Sequence, residues 1–218
     1  ISGPGALTIA PASDLFATTF AFDGWTFGSD LSGLTIGKAT NTSAVNVDKA
    51  TSIAGSVAIY GGSVYVTQNL TSTAGDILID ADTGTFLGQA TMGVYVNGVD
   101  VSAGGDITIL GRGGDASQTG TPRERVWAMY LDAGATVSTT GSGAISITGL
   151  GGQSSRDWRA MGVGLSNSDS ANGVSKISAV DGSVTIVGTG GTGAGGANGV
   201  MVNRFASIDR NIWIADHR

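Results

Sequence analysis

Apolar positions along this chain alternate with polar or small ones. Leu34/Ile36, Val45/Val47, Val57/Ile59, Val64/Val66 and Ile77/Ile79 each enclose one such residue between two branched apolar ones. A side-chain period of two marks a strand with one buried face. Gly, Asn, Ser and Thr fill the intervals, so residues 31–80 predict short strands and turns in an all-β fold.

A longer unit takes over from residue 92. The phrases GGDITILGRGG (104–114), SGAISITGLGG (142–152) and DGSVTIVGTGG (181–191) share one pattern, and Gly105, Gly143 and Gly182 lie 38 and 39 residues apart. Each unit opens with a strand such as MGVYV, MYLDA, MGVGL or VMVNRF and adds a second short strand (VDVSAGG, ATVSTTG, SKISAVDG). The glycine-flanked strand follows, and a variable loop closes the unit: DASQTGTPRERVWA, QSSRDWRA or TGAGGAN. The flanking glycines predict tight bends.

Two or three strands cannot bury their inward faces alone, but stacked on neighbours they can; a fixed period therefore predicts a parallel β-helix, a solenoid. At roughly 20 residues per coil, each unit should supply about two coils, giving on the order of ten coils and a rod of roughly 50 Å. An antiparallel sandwich would also show short strands, but it has no need of near-identical phrases at a constant offset. Residues 1–30 stand apart, with Phe16, Phe20, Phe22, Phe27 and Trp25. They form an aromatic-rich flanking segment or irregular first coils whose role is packing. Residues 31–91 are expected to be solenoid coils, and residues 92–218 coils with long variable loops.

Composition narrows the function classes. With 37 glycines and 13% charged residues the chain could pass for disordered, but the Val/Ile alternation argues for folded structure. A net charge of −6 disfavours nucleic acid and anionic membrane surfaces as partners. The apolar runs are far too short for a membrane span. The absence of cysteine removes thiolate metal sites and cysteine nucleophiles, and a long solenoid needs no disulfides in any compartment. The chain begins with Ile and shows no signal-peptide pattern, so it reads as an internal or processed piece.

Two variable loops share Arg and Trp just ahead of an Ala-Met pair: Arg123, Arg125 and Trp127 in one, Arg156, Trp158 and Arg159 in the other. Exposed, they would form a recognition patch, with Trp stacking on a sugar ring and Arg gripping a carboxylate. The competing reading has each Trp folded over a coil end, with Arg paired to Glu124 or Asp157. A third makes the loops a contact between neighbouring rods. Asn97, Asn167, Asn172 and Asn198 read as turn residues or asparagine ladders.

Other chemistry is weakly signalled. The acidic turns Asp80–Gly84 and Asn167–Gly173 match no calcium-loop pattern, so no metal is assigned. His217 is the only histidine and sits next to the last residue, a poor place to hold a triad. GGTGAGG lacks the Lys-Ser/Thr and the helix of a phosphate loop. A β-helix lyase or hydrolase would need clustered carboxylates, whereas Asp76, Asp80, Asp82, Asp100, Asp106 and Asp115 are scattered. No catalytic residue and no cofactor are expected.

The stretch from LSGLTIGKATNTSAVNV to GDILIDA, and the GxITIxGxGG…GVxL units, resemble the repeat region of filamentous haemagglutinin-type bacterial exoproteins. These are passengers of two-partner secretion and related autotransporter-like adhesins. The resemblance covers roughly residues 31–214 and is one of repeat style. It implies a right-handed parallel β-helix, export through an outer-membrane pore, and display at the cell surface. It also implies adhesion to a glycan or cell-surface ligand, to other cells or within a biofilm. Lack of Cys suits export of an unfolded chain. The family's Asn-rich secretion domain is not visible, so the expected role is a shaft segment. The alternatives are a subunit of an extracellular filament or matrix that contacts copies of itself, and a polysaccharide-active enzyme.

Overall fold

The computed structural model describes residues 1–218 except 83, 85–91, 117–125, 155–159, 168–171, 193–196, 204, 210–211 and 218. All but two of its strands form three parallel sheets, A, B and C, of eight, seven and six strands. The chain visits them in rotation. Gly33–Ile36 lies in A, Ala44–Val47 in B, Thr51–Ile53 in C, and Ser56–Tyr60 returns to A beside Gly33–Ile36. The molecule is a parallel β-solenoid of three-sided coils. No α-helix occurs among the described residues, and none is long and apolar enough to cross a membrane.

Register explains the alternation. In sheet A, Ile9, Ile36, Ile59, Ile79, Ile109, Ile147, Ile186 and Ile214 pair in succession and form one inward row. Leu7, Leu34, Val57, Ile77, Ile107, Ile145, Val184 and Ile212 form the row beside it. In sheet B, Val47, Val66, Val96, Leu131 and Leu165 do the same. A one-residue slip anywhere would turn these side chains outward, so the core fixes the register. Burying each branched side chain contributes about 1.5–3 kcal/mol.

Polar groups inside the coil are satisfied at the corners. The Ser72 hydroxyl donates to Gly55 O at 2.7 Å and accepts from Gly75 N at 3.0 Å. Thr139 donates to Gly143 O at 2.9 Å, and Ser175 to Ser166 O at 2.8 Å. Asn41 is fully buried between sheets A and B. Its Nδ2 donates to Tyr60 O at 2.9 Å, and its Oδ1 accepts from Phe16 N and Ser43 N, each at 3.2 Å. One side chain thus ties three successive coils.

Residues 1–30 enter the solenoid. Ala6–Ile9 pairs with Gly33–Ile36, and Phe20–Ala21 with Val45 and Asn46. The aromatic side chains pack together there: Phe16 stacks on Phe20 with centroids 5.0 Å apart, and Phe22 meets Phe27 edge-on at 5.4 Å. Phe22 is fully buried.

Three sequence expectations need correction. The 38–39-residue unit is one coil, not two, because Ile107 pairs with Ile145 and Ile145 with Val184. A coil near 20 residues occurs only where the corners are minimal, as between Val57 and Ile77; most of the extra residues enter the corner between sheets A and B. With eight strands in sheet A, the rod is roughly 34 Å along its axis, not 50.

The second correction concerns the glycines after the strand. Gly111, Gly149 and Gly188 do not turn the chain: they are inward-facing strand residues in register, and none has positive φ. The third concerns the asparagines. Asn97 pairs with Asp132 rather than another Asn, and the left-handed residues are the glycines that follow Asn97 and Asn172, Gly98 (φ 65°) and Gly173 (φ 84°). Asn167 is buried and donates from Nδ2 to Gly173 O.

Candidate interaction face

The A-to-B corner takes up most of the variation in coil length. Two residues, Gly61 and Gly62, turn it in one coil, whereas residues 82–93, 113–128, 151–162 and 190–199 do so in the four coils that follow. In the described residues of the last three of these corners, the chain leaves sheet A along one rail and enters sheet B along a second. The two rails lie in backbone contact. A Cβ on Gly111, Gly149 or Gly188 would land on the carbonyl of Ala128, Gly162 or Gly199. One step further out, a Cβ on Gly113, Gly151 or Gly190 would meet the carbonyl of Val126, Ala160 or Ala197. This close approach, rather than a bend, is why the phrase repeats its glycines.

Hydrogen bonds run from coil to coil along both rails. On the outgoing rail Gly113 N donates to Leu150 O at 2.9 Å and Gly151 N to Thr189 O at 2.8 Å. On the returning rail Ala128 N donates to Met161 O at 2.9 Å and Gly162 N to Asn198 O at 3.1 Å. Gly152 N to Val126 O, 2.9 Å, and Gly191 N to Ala160 O, 2.7 Å, tie the rails of adjacent coils together. Further out, Asp115–Ala116 pairs with Gln153–Ser154, and Gln153 bridges to Thr192. Val126, Ala160 and Ala197 form the small apolar interior. The result is a thin fin along one edge of the rod, rigid at its base.

Trp127 lies at the root of this fin and is 5% exposed. Its ring packs edge-on against Tyr130, centroids 4.1 Å apart, and over Gly164, where a Cβ would sit 3.5 Å from the indole. Met161 is buried with it, and Met92, Tyr95 and Met201 pack around them. This cluster lies on the outer face of sheet B, where Tyr65, Tyr95 and Tyr130 stand in register. Trp127 is therefore a packing residue that fastens the returning rail to the coil, and its face is not open to a sugar. Arg123, Arg125, Arg156, Trp158 and Arg159 lie outside the described residues.

The carboxylates join coils rather than converging on a groove. Asp76 Oδ1 accepts from Asp106 N at 2.8 Å, and Asp106 Oδ1 in turn accepts from Ala144 N at 2.7 Å. Asp48 Oδ1 does the same for Asp23 N at 2.8 Å. In the acidic turn after sheet A, Arg112 holds Asp82 through two bonds, Nε to Oδ1 at 2.6 Å and a second nitrogen to Oδ2 at 3.3 Å. Asp80 Oδ1 accepts from Asp82 N at 2.9 Å. Partial burial raises the Asp80 pKa above the ordinary carboxylate value, and the neighbouring Asp82 charge adds to this. No group of three or more His, Cys, Asp or Glu poised to hold a metal occurs among the described residues. His217 is exposed, and its carbonyl accepts from Gly190 N at 2.8 Å. Asn41, unnoticed in the sequence, is a buried polar hub with no marker beyond its Asn-Thr-Ser context.

Among known proteins, no family model matches this chain, no curated protein matches it, and no solved structure matches it.

Proposed function

We propose that the chain is a structural shaft segment of a secreted, surface-displayed adhesin, with the fin as its presenting edge. One observation carries the reading. The coil core is nearly constant, while most of the variation in coil length is directed to one corner, held on a hydrogen-bonded base. Repeat proteins that bind use this division, with insertions grouped on one face of a regular stack. The Arg- and Trp-bearing loops belong to this corner, so their tips would recognise a glycan or another acidic cell-surface group. The role is mechanical and adhesive rather than enzymatic. Asp76 and Asp106, which a glycan-cleaving site would want free, each give an oxygen to the backbone of the next coil.

The test replaces the loop tips and leaves the rails. Arg123, Arg125, Arg156, Trp158 and Arg159 are changed to Ala together. Binding of the purified chain to a panel of neutral and acidic glycans, and to intact epithelial cells, should fall at least tenfold with the far-UV β spectrum unchanged. Undiminished binding by this variant would remove the fin from the adhesive role.

A further inference from the structure

Asparagine is followed by glycine in three places: Asn97-Gly98, Asn172-Gly173 and Asn198-Gly199. Such a pair can react with itself. The glycine nitrogen attacks the asparagine side-chain carbonyl, and glycine has no Cβ to hinder the approach. The fold treats the three pairs differently. Asn97 ends the strand Val94–Asn97 in register with Asp132, and Gly98 N donates to Asp132 O at 3.0 Å. Asn198-Gly199 lies in the returning rail of the fin. Asn198 O accepts from Gly162 N at 3.1 Å and Gly199 O from Val163 N at 2.7 Å. Gly199 is buried, and a Cβ on it would land on Gly188 O. Asn172-Gly173 has none of these restraints. Asn172, Gly173 and Val174 are all exposed, and a Cβ on Gly173 would meet nothing within 4 Å. Among the described residues, neither Gly173 N nor the Asn172 side chain makes a hydrogen bond.

We propose that Asn172 is a site of spontaneous self-modification, at which the chain loses an amide and can reroute its own backbone. Gly173 N forms a bond to Asn172 Cγ, the Cγ–Nδ2 bond breaks, and ammonia leaves with the Gly173 amide proton. Water then opens the cyclic imide. Cleavage of the new N–Cγ bond gives Asp on the original backbone. Cleavage of the bond from Gly173 N to the main-chain carbonyl carbon gives isoaspartate, with the backbone now running through the side chain. Water is the only co-reactant. The longer product does not fit this corner between sheets B and C. A Cβ on Gly134 would land on Asn172 O, so the two backbones touch there, and Gly134 N donates to Ser175 Oγ at 3.2 Å. Isoaspartate at 172 displaces the chain from Gly134, whereas Asp leaves it in place. The pair is a slow covalent timer on one coil-to-coil contact, independent of what the fin binds.

The test ages the purified chain in mildly alkaline buffer, folded and in urea, and follows peptides spanning the three pairs by mass spectrometry. In urea all three should react at comparable rates. In the folded chain Asn172 should convert about tenfold faster than Asn97, whose reaction must first break the bond from Gly98 N to Asp132 O. Asn198 should stay intact longest. Hydrogen exchange at the Gly134 amide should quicken in the isoaspartate fraction. An Asn172→Ser chain, with no amide to lose, should keep its Gly134 exchange unchanged on ageing. Equal rates at Asn97 and Asn172 in the folded chain would overturn the inference. So would an intact Asn172 in folded protein whose urea counterpart has reacted. Unchanged Gly134 exchange in the isoaspartate fraction would overturn the timer.

Discussion

Replacing Gly151 by Ala tests the physical account of the fin. Gly151 sits on the outgoing rail with ordinary negative φ, so its backbone would accept Ala without strain. A Cβ there would lie 2.5 Å from Ala160 O, 2.6 Å from Gly191 N and 2.8 Å from Ala160 C. All three are backbone atoms, and two belong to the opposite rail. They cannot swing aside as a side chain would, so the rails must part, and the bond from Gly191 N to Ala160 O stretches with them. Overpacking of this kind costs about 1–3 kcal/mol. Against it stands the lower entropy of the unfolded chain with Ala in place of Gly, about 0.4–1 kcal/mol. The net is a loss of about 1–2 kcal/mol, or a urea midpoint lower by about 0.5–1 M.

The control is Gly24→Ala. Gly24 also lacks positive φ, and a Cβ there meets nothing within 4 Å. Only the entropic gain remains, so this variant should unfold at the wild-type midpoint or slightly above it. The same substitution thus carries opposite signs at two sites, read by far-UV circular dichroism in urea. A Gly151→Ala chain as stable as the Gly24→Ala chain would show that the rails are not in contact and that the repeated glycines only turn the chain.

Three further outcomes follow from the interior. Asn41→Ala removes the acceptor for Phe16 N and Ser43 N and the donor to Tyr60 O, and should cost about 3 kcal/mol; hydrogen exchange should quicken first at the Phe16 and Ser43 amides, and unchanged exchange there would refute the hub. Asp80→Asn keeps the Oδ1 that accepts from Asp82 N and removes a charge whose folded pKa is raised. A raised acid destabilises the fold above its folded pKa and is relieved as pH falls through it, so this variant should exceed wild type at pH 7 and lose that advantage as pH falls into the carboxylate range; equal stability at both would contradict it. Trp127→Phe should remove the tryptophan emission least quenched by iodide while Trp213, 59% exposed, stays quenchable, and should lower the urea midpoint; a quenchable Trp127 would mean an open indole.

Local alternation made the strands and the solenoid legible, because the same two-residue period that buries Ile107 and Ile109 also writes their pattern into the sequence. The number of coils was not legible. A repeat length fixes how often a coil recurs only when the corners are short, and nothing in DASQTGTPRERVWA separates a second coil from an excursion and return. The glycines held the missing information. In a strand of the pattern Ile-x-Ile-x-Gly, the third inward position lacks a side chain because another backbone occupies its space. Gly111, Gly149 and Gly188 mark where the coil narrows from three walls to two.

The same logic explains why the candidate patch came apart at Trp127. Sequence grouped it with Trp158, both just ahead of an Ala-Met pair, but Val126 and Ala128 on either side already belong to the returning rail and are fully buried. A large ring between two buried neighbours just ahead of the strand Met129–Asp132 lies on the outer face of sheet B, where Gly164 one coil away leaves room for it. In the adhesin reading proposed above, recognition falls to residues other than Trp127. The glycine ladder, the buried indole and the coil-to-coil hydrogen bonds serve one mechanical end, which is to join two backbone rails that enclose only Val126, Ala160 and Ala197 and are bonded from coil to coil along their length.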